Sequence, residues 1–164
     1  MPSWRYPYQP SRGCTPPDNG VDRLLALHDT PGLTRGVVTQ ANVHGTDNRA
    51  VLDAAAAHPD RLRAAVAVSE GVTEAETTAM HARGARGIRV NLVDRGGMPF
   101  RSLDALGAVA DILRSLGWHI DLLVHVEQKM PELRALSAAT RLSIPVGHIG
   151  YNKAGRSIPA TRNS

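Results

Sequence analysis

Gly87-Ile88-Arg89-Val90-Asn91-Leu92-Val93 is the stretch on which the fold turns. It is short, rich in β-branched residues and bounded by Gly84 and Gly96-Gly97, which predicts a strand. Its apolar residues are not confined to alternate positions, as expected of a strand covered on both faces. Arg89 and Asn91 are the polar exceptions, and both demand an explanation.

Working outward, the same kind of run recurs. Gly36 to Asn42, Leu62 to Ser69, His119 to His125 and Ser143 to Ile149 read as further strands, the last containing Pro145. Helical spacing fills the intervals: Val21 to Asp29, Asp47-Asn48 through the alanines to His58, Thr73 to Ala82, Ser102 to Leu116 and Pro131 to Ala139. Buried strands alternating with amphipathic helices predict an α/β fold with a parallel sheet, either an open doubly wound sheet or a (β/α)8 barrel. No Gly-x-Gly-x-x-Gly or P-loop follows a strand, so the dinucleotide and nucleotide phosphate cradles are missing. Polar residues at strand ends favour the barrel. Five βα units predict only part of one, because closure needs eight strands. Residues 1–20, with five of the eleven prolines, read as an extended loop. Residues 21–151 read as the barrel domain and 152–164 as a tail.

The 164 residues are 42% hydrophobic and carry a net charge of +4. The arginines are scattered and the aromatics few, which argues against nucleic acid. No apolar run reaches the roughly 20 residues of a membrane span, and the N-terminus lacks a signal-peptide core. Cys14 is the one cysteine, consistent with a reducing compartment. These features predict a soluble cytoplasmic chain.

Ligands of parallel α/β folds meet the carboxyl ends of strands. There the sequence places Asn42 and His44, Arg89, Asn91 and Arg95, His125 and His148. Arg89 in an apolar strand needs a partner, because an unpaired buried guanidinium is costly. It is either an internal salt bridge or an anion clamp matched to a carboxylate. Arg95 lies six residues on and can reach the same pocket. Asp47 or Asn48 can cap the following helix, a role that does not require His44. Gly147 and Gly150 flank His148 and permit close approach. His28, His58 and His81 fall on helices and read as surface. No His-x-His and no Gly-x-Ser-x-Gly elbow is present, so neither a metal centre nor a serine nucleophile is expected.

Taken together, Thr15-Pro16-Pro17-Asp18, Gln40-Ala41-Asn42-Val43-His44-Gly45-Thr46-Asp47-Asn48, Arg86-Gly87-Ile88-Arg89-Val90-Asn91, Gly117-Trp118-His119 and Gly147-His148-Ile149-Gly150 resemble the amidohydrolase-related family, in its lactonase branch. The likeness extends to about Tyr151. It implies a TIM-barrel hydrolase that opens a lactone with water, without a tightly bound metal or other cofactor. It places substrate-carboxylate arginines on Arg89 and Arg95, a substrate contact on Asn42, and the group that polarises the carbonyl on His148. His44 joins the substrate-binding set by position. The family's His-x-His and its general-base aspartate are expected outside residues 1–164, so impaired turnover is expected. Cys14 and Leu123 stand at positions of family tyrosines, and Gly147 at that of an aspartate. A non-catalytic dicarboxylate-binding module, or a decarboxylase or isomerase of the same superfamily, are the alternatives. The open edges of a partial sheet predict oligomerisation.

Overall fold

Side chains alternate across each strand of a parallel sheet, and this sorts the molecule into two faces. The computed structural model describes residues 3–93, 100 and 102–150; Arg95 and the expected tail lie outside them. Strands β1 (Gly36–Thr39), β2 (Leu62–Val66), β3 (Ala85–Asn91) and β4 (His119–Leu123) form one sheet in chain order, every pair parallel. Helices α2 (Arg49–Ala57), α3 (Glu74–Ala82), α4 (Ala110–Ser115) and α5 (Val126–Thr140) follow the strands in turn, and α1 (Val21–Asp29) precedes β1. The fold is α/β, a curled half of a (β/α)8 barrel.

The convex face is the core. Ala64 and Val66 of β2, Ile88 and Val90 of β3, and Ile120 and Leu122 of β4 are fully buried against Val51, Leu52 and Ala55 of α2 and against Leu106, Val109, Leu113, Leu133 and Leu136. Trp118 enters this core from the start of β4, and its indole N–H donates to His81 Nδ1 at 2.9 Å. His81 is therefore half-buried rather than a surface residue. His28 also departs from the surface expectation. Its ring lies where a Cβ on Gly36 would sit, 2.5 Å from Cε1, and its Nδ1 is buried. A capping box starts α3, with Thr73 accepting from the Glu76 N–H and Glu76 accepting from the Thr73 N–H.

Three elements differ from expectation, each for a backbone reason. The helix expected over 102–116 is a 3-10 turn at Asp104–Val109 followed by α4. Gly107, with nothing within 4 Å of its Cβ position, sits in the tighter part, where its poor helix propensity weakens an α-helical path. Helix α5 starts at Val126 and runs through Pro131. Proline removes the N–H that would reach the Glu127 carbonyl, and residues 127–132 are all exposed, so this stretch of helix is open to solvent.

The expected fifth strand, Ser143 to Ile149, runs alongside β4 but makes one isolated bridge, Leu122 to Val146. The N–H groups of Ile120 and Leu122 donate to Ser143 and Pro145 carbonyls at 2.9 Å. The return bond to the Ile120 carbonyl would come from residue 145, and proline has no N–H to give. A 3-10 turn, Gly147–Gly150, follows directly.

The sheet is strongly curved. Three strand spacings of about 4.8 Å would set Thr39 and Asp121 about 14 Å apart across a flat sheet. Yet Thr39 Oγ1 lies 3.2 Å from Asp121 Oδ2, so β1 and β4 lean together over the concave face.

Candidate anion site on the concave face

The concave face carries Thr39 of β1, Arg89 of β3 and His119 and Asp121 of β4, polar side chains on strands whose other face is apolar. Arg89 and Asp121 are register partners on neighbouring strands. Arg89 Nη1 donates to Asp121 Oδ2 at 3.0 Å, and Thr39 Oγ1 donates to the same oxygen. The two charged side chains are only 12% and 17% exposed. Arg89 Nε is buried and has no acceptor among the described residues. One level down the strands, the His119 ring fills the space over Gly87, 2.6 Å from where a Cβ would stand. Any side chain at 87 would displace that ring.

The turn carrying His148 comes to the same place. A Cβ on Gly147 would lie 3.3 Å from Arg89 Nη1, so the glycine backbone rests against the guanidinium. His148 follows with φ 52, an uncommon conformation for a side-chain-bearing residue, and is exposed. The Gly147–Gly150 turn thus brings the backbone at Gly147, next to His148, against the Arg89 guanidinium of β3.

The loop after β1 is built separately. Gln40, 1% exposed, donates through Nε2 to the carbonyls of Gly45 and Asp47, both at 2.9 Å. Gly45 has φ 54 and its Cβ position is filled by the Gln9 side chain, so glycine is required there. His44 is buried and turned onto the N-terminal segment, with Nδ1 3.4 Å from the Pro7 carbonyl and its ring 5.1 Å from that of Tyr8. Asn42 is half-buried in the 3-10 turn Asn42–His44. Asn48 sits at the N-cap of α2 without capping it. Its amide instead accepts from the Ala67 N–H at 2.8 Å and donates to the Ala67 carbonyl at 2.7 Å, fastening the loop to the end of β2. Asp47 accepts from the Arg49 N–H and from its guanidinium, and that guanidinium holds the Asp47 carboxyl below the usual carboxylate range.

Of the expected site residues, the structure joins Arg89 to the backbone beside His148, sets Asn42 at the end of β1, turns His44 toward Tyr8, and leaves Arg95 outside the described residues. Asp121 and Thr39 are the residues missed by sequence reasoning. The signal for Asp121 was present, as a carboxylate inside the apolar run His119-Ile120-Asp121-Leu122-Leu123. Among the described residues, no group of three or more His, Cys, Asp or Glu side chains could hold a metal ion.

A half-barrel with an arginine in its concave face directs attention to hydrolases built on this sheet. The amidohydrolase family pattern matches residues 2–163. The chain belongs to the amidohydrolase family. This amidohydrolase-family chain is 35% identical to 2-pyrone-4,6-dicarboxylate hydrolase of Comamonas testosteroni over 149 residues, which are 91% of the chain and 48% of that protein. It is 29% identical to 4-sulfomuconolactone hydrolase of Rhizobium radiobacter, over 91% of the chain and 50% of the relative. It therefore spans about half the length of the curated relatives it matches. A probable 2-pyrone-4,6-dicarboxylic acid hydrolase from Acinetobacter baumannii, solved with citric acid bound, superposes with a TM-score of 0.75 at 25% identity, covering 89% of this chain and 54% of that one. A structure from Pseudomonas putida superposes at 0.76 with 28% identity, over 90% and 54%.

Proposed function

We propose that this chain forms the substrate-anion half of a lactone-hydrolysing site, for a small ring bearing carboxylates. The observation that carries the reading is Arg89: a mostly buried guanidinium on the concave face, with one N–H lacking an acceptor among the described residues and a glycine turn pressed against it. A ligand carboxylate is the acceptor that matches its planar fork. Arg95 supplies a second cation for a dicarboxylate, Asn42 and His44 border the end of β1, and His148 polarises the ring carbonyl. In the reaction, water adds to the acyl carbon, the acyl–oxygen bond breaks, and the released ring oxygen takes a proton. Donors aimed at the developing oxyanion lower that barrier most.

A second reading, binding of the dicarboxylate without turnover, is favoured by the placement of His44, which faces Pro7 and Tyr8 rather than Arg89. Following the ring absorbance of 2-pyrone-4,6-dicarboxylate tests the first reading, and calorimetry with the same compound tests the second. Turnover that survives Arg89→Met overturns the role of Arg89. Binding without turnover selects the second reading, and neither binding nor turnover overturns both. The edge of β1 opposite β2 bears no strand among the described residues, and Val37 on it is 51% exposed. We expect association through this edge; a monomer by light scattering at micromolar concentration would count against it. Among the described residues no helix is long and apolar enough to cross a membrane.

A further inference from the structure

We infer that Asp121 is a specificity-determining residue: a built-in counter-anion that occupies one side of the Arg89 guanidinium and sets how tightly the site takes an anionic ligand. The inference rests on the reading of Arg89 as the anion clamp. Asp121 is held for this part by geometry rather than by chance contact. It is the register partner of Arg89, it accepts from Nη1 at 3.0 Å, and Thr39 reaches across from β1 to fix the same oxygen at 3.2 Å. The pairing is one-sided. Oδ2 accepts from a single arginine nitrogen, and Nε has no acceptor among the described residues. A bidentate pair would take two nitrogens of the fork, and this one takes a single nitrogen.

Two carboxylates on one guanidinium lie within about 6 Å of each other, close enough for like charge to oppose the second. Asp121 therefore weakens anion capture while keeping Arg89 in place. The structure makes this testable by sign. An asparagine at 121 retains an acceptor for Nη1 and a polar group for Thr39, and removes only the charge. A purely structural role predicts that stability and binding fall together. The counter-anion role predicts that they move in opposite directions.

The experiment is calorimetry of 2-pyrone-4,6-dicarboxylate binding to the full chain and to Asp121→Asn, Asp121→Glu and Arg89→Lys, with thermal melts of each. Asp121→Asn is expected to bind about tenfold tighter than the parent at low salt, with the gain shrinking at high salt. Its melting temperature falls by about 5 °C. Asp121→Glu keeps the charge and stays within about threefold of the parent. If Asp121→Asn does not fold, Asp121→Ser carries the same expectation. Weaker binding by the neutral variant, with Arg89→Lys still abolishing binding, overturns the role of Asp121 and leaves the clamp standing. Binding unaffected by Arg89→Lys, or absent from every variant, overturns the clamp and the counter-anion with it.

Discussion

The two faces of one sheet obey different rules. On the convex face, Ile88, Val90, Ile120 and Leu122 join helix side chains in one apolar cluster. On the concave face, Arg89, Asp121, Thr39 and His119 stand on the alternate positions of the same strands, and each is placed by a named contact. Burial is non-directional and tolerates exchange of one apolar group for another of similar volume. The ion pair is directional, and removing one member leaves the other stranded. Apolar packing is thus concentrated on one side and the directional polar contacts on the other, with the strand backbone shared between them.

The sharpest way to break this division is on the convex side. Trp118→Ala deletes the largest fully buried side chain and leaves His81 Nδ1 without its donor. It is expected to cost about 3–5 kcal/mol in urea unfolding. A loss below about 1 kcal/mol would mean the core does not rest on this residue.

Next comes the concave pair. Arg89→Met strands the Asp121 carboxylate with Thr39 alone and is expected to cost about 2 kcal/mol, discounted from the fully buried case because both side chains retain some exposure. The double variant Arg89→Met/Asp121→Leu removes both charges and is expected to return to within about 1 kcal/mol of the parent. If the double variant is as unstable as the single one, the pair contributes to stability on its own account. Gly87→Ala is smaller again. Its new methyl meets the His119 ring, which must swing away, at a cost of about 1–2 kcal/mol. Unchanged stability there would show that the ring moves freely.

The same contrast explains what was legible in the sequence. The convex face was readable because periodicity is local: the runs around Ile88 and Ile120 identify strands without knowledge of their neighbours. Arg89 was conspicuous as a charge in an apolar run, but its partner was not. Asp121 lies 32 positions away, and only the register of β3 on β4 makes it a neighbour. Pro145 was visible too, yet its effect depends on which N–H the ladder needed at that step. His44 illustrates the converse. Its position at a strand end suggested a ligand contact, while its nearness to the Pro7 carbonyl, 37 positions distant, was not legible from local pattern. The motif blocks carried the family through all of this, because they sample several strand ends at once.

The smallest effect lies at the lower end of the convex face and is a pH dependence. Burial holds the His81 imidazole below the ordinary histidine pKa, with the neighbouring Arg86 adding to the shift. The neutral ring accepts from Trp118 at Nδ1, and a proton there would abolish the bond. The unfolded chain titrates near pH 6.5, above the folded state. As the pH falls below that value, the unfolded chain binds the proton first, and stability declines until the folded pKa is also passed. About one unit above pH 6.5 and higher, both states are neutral at this residue and it contributes no slope. His81→Gln retains an acceptor for the indole N–H without a titrating group, so its melting temperature should fall less than that of the parent between pH 6.5 and 5. Parallel melting curves for the two proteins across that interval would place the acid sensitivity elsewhere, and would leave the Trp118–His81 bond a contact of shape alone.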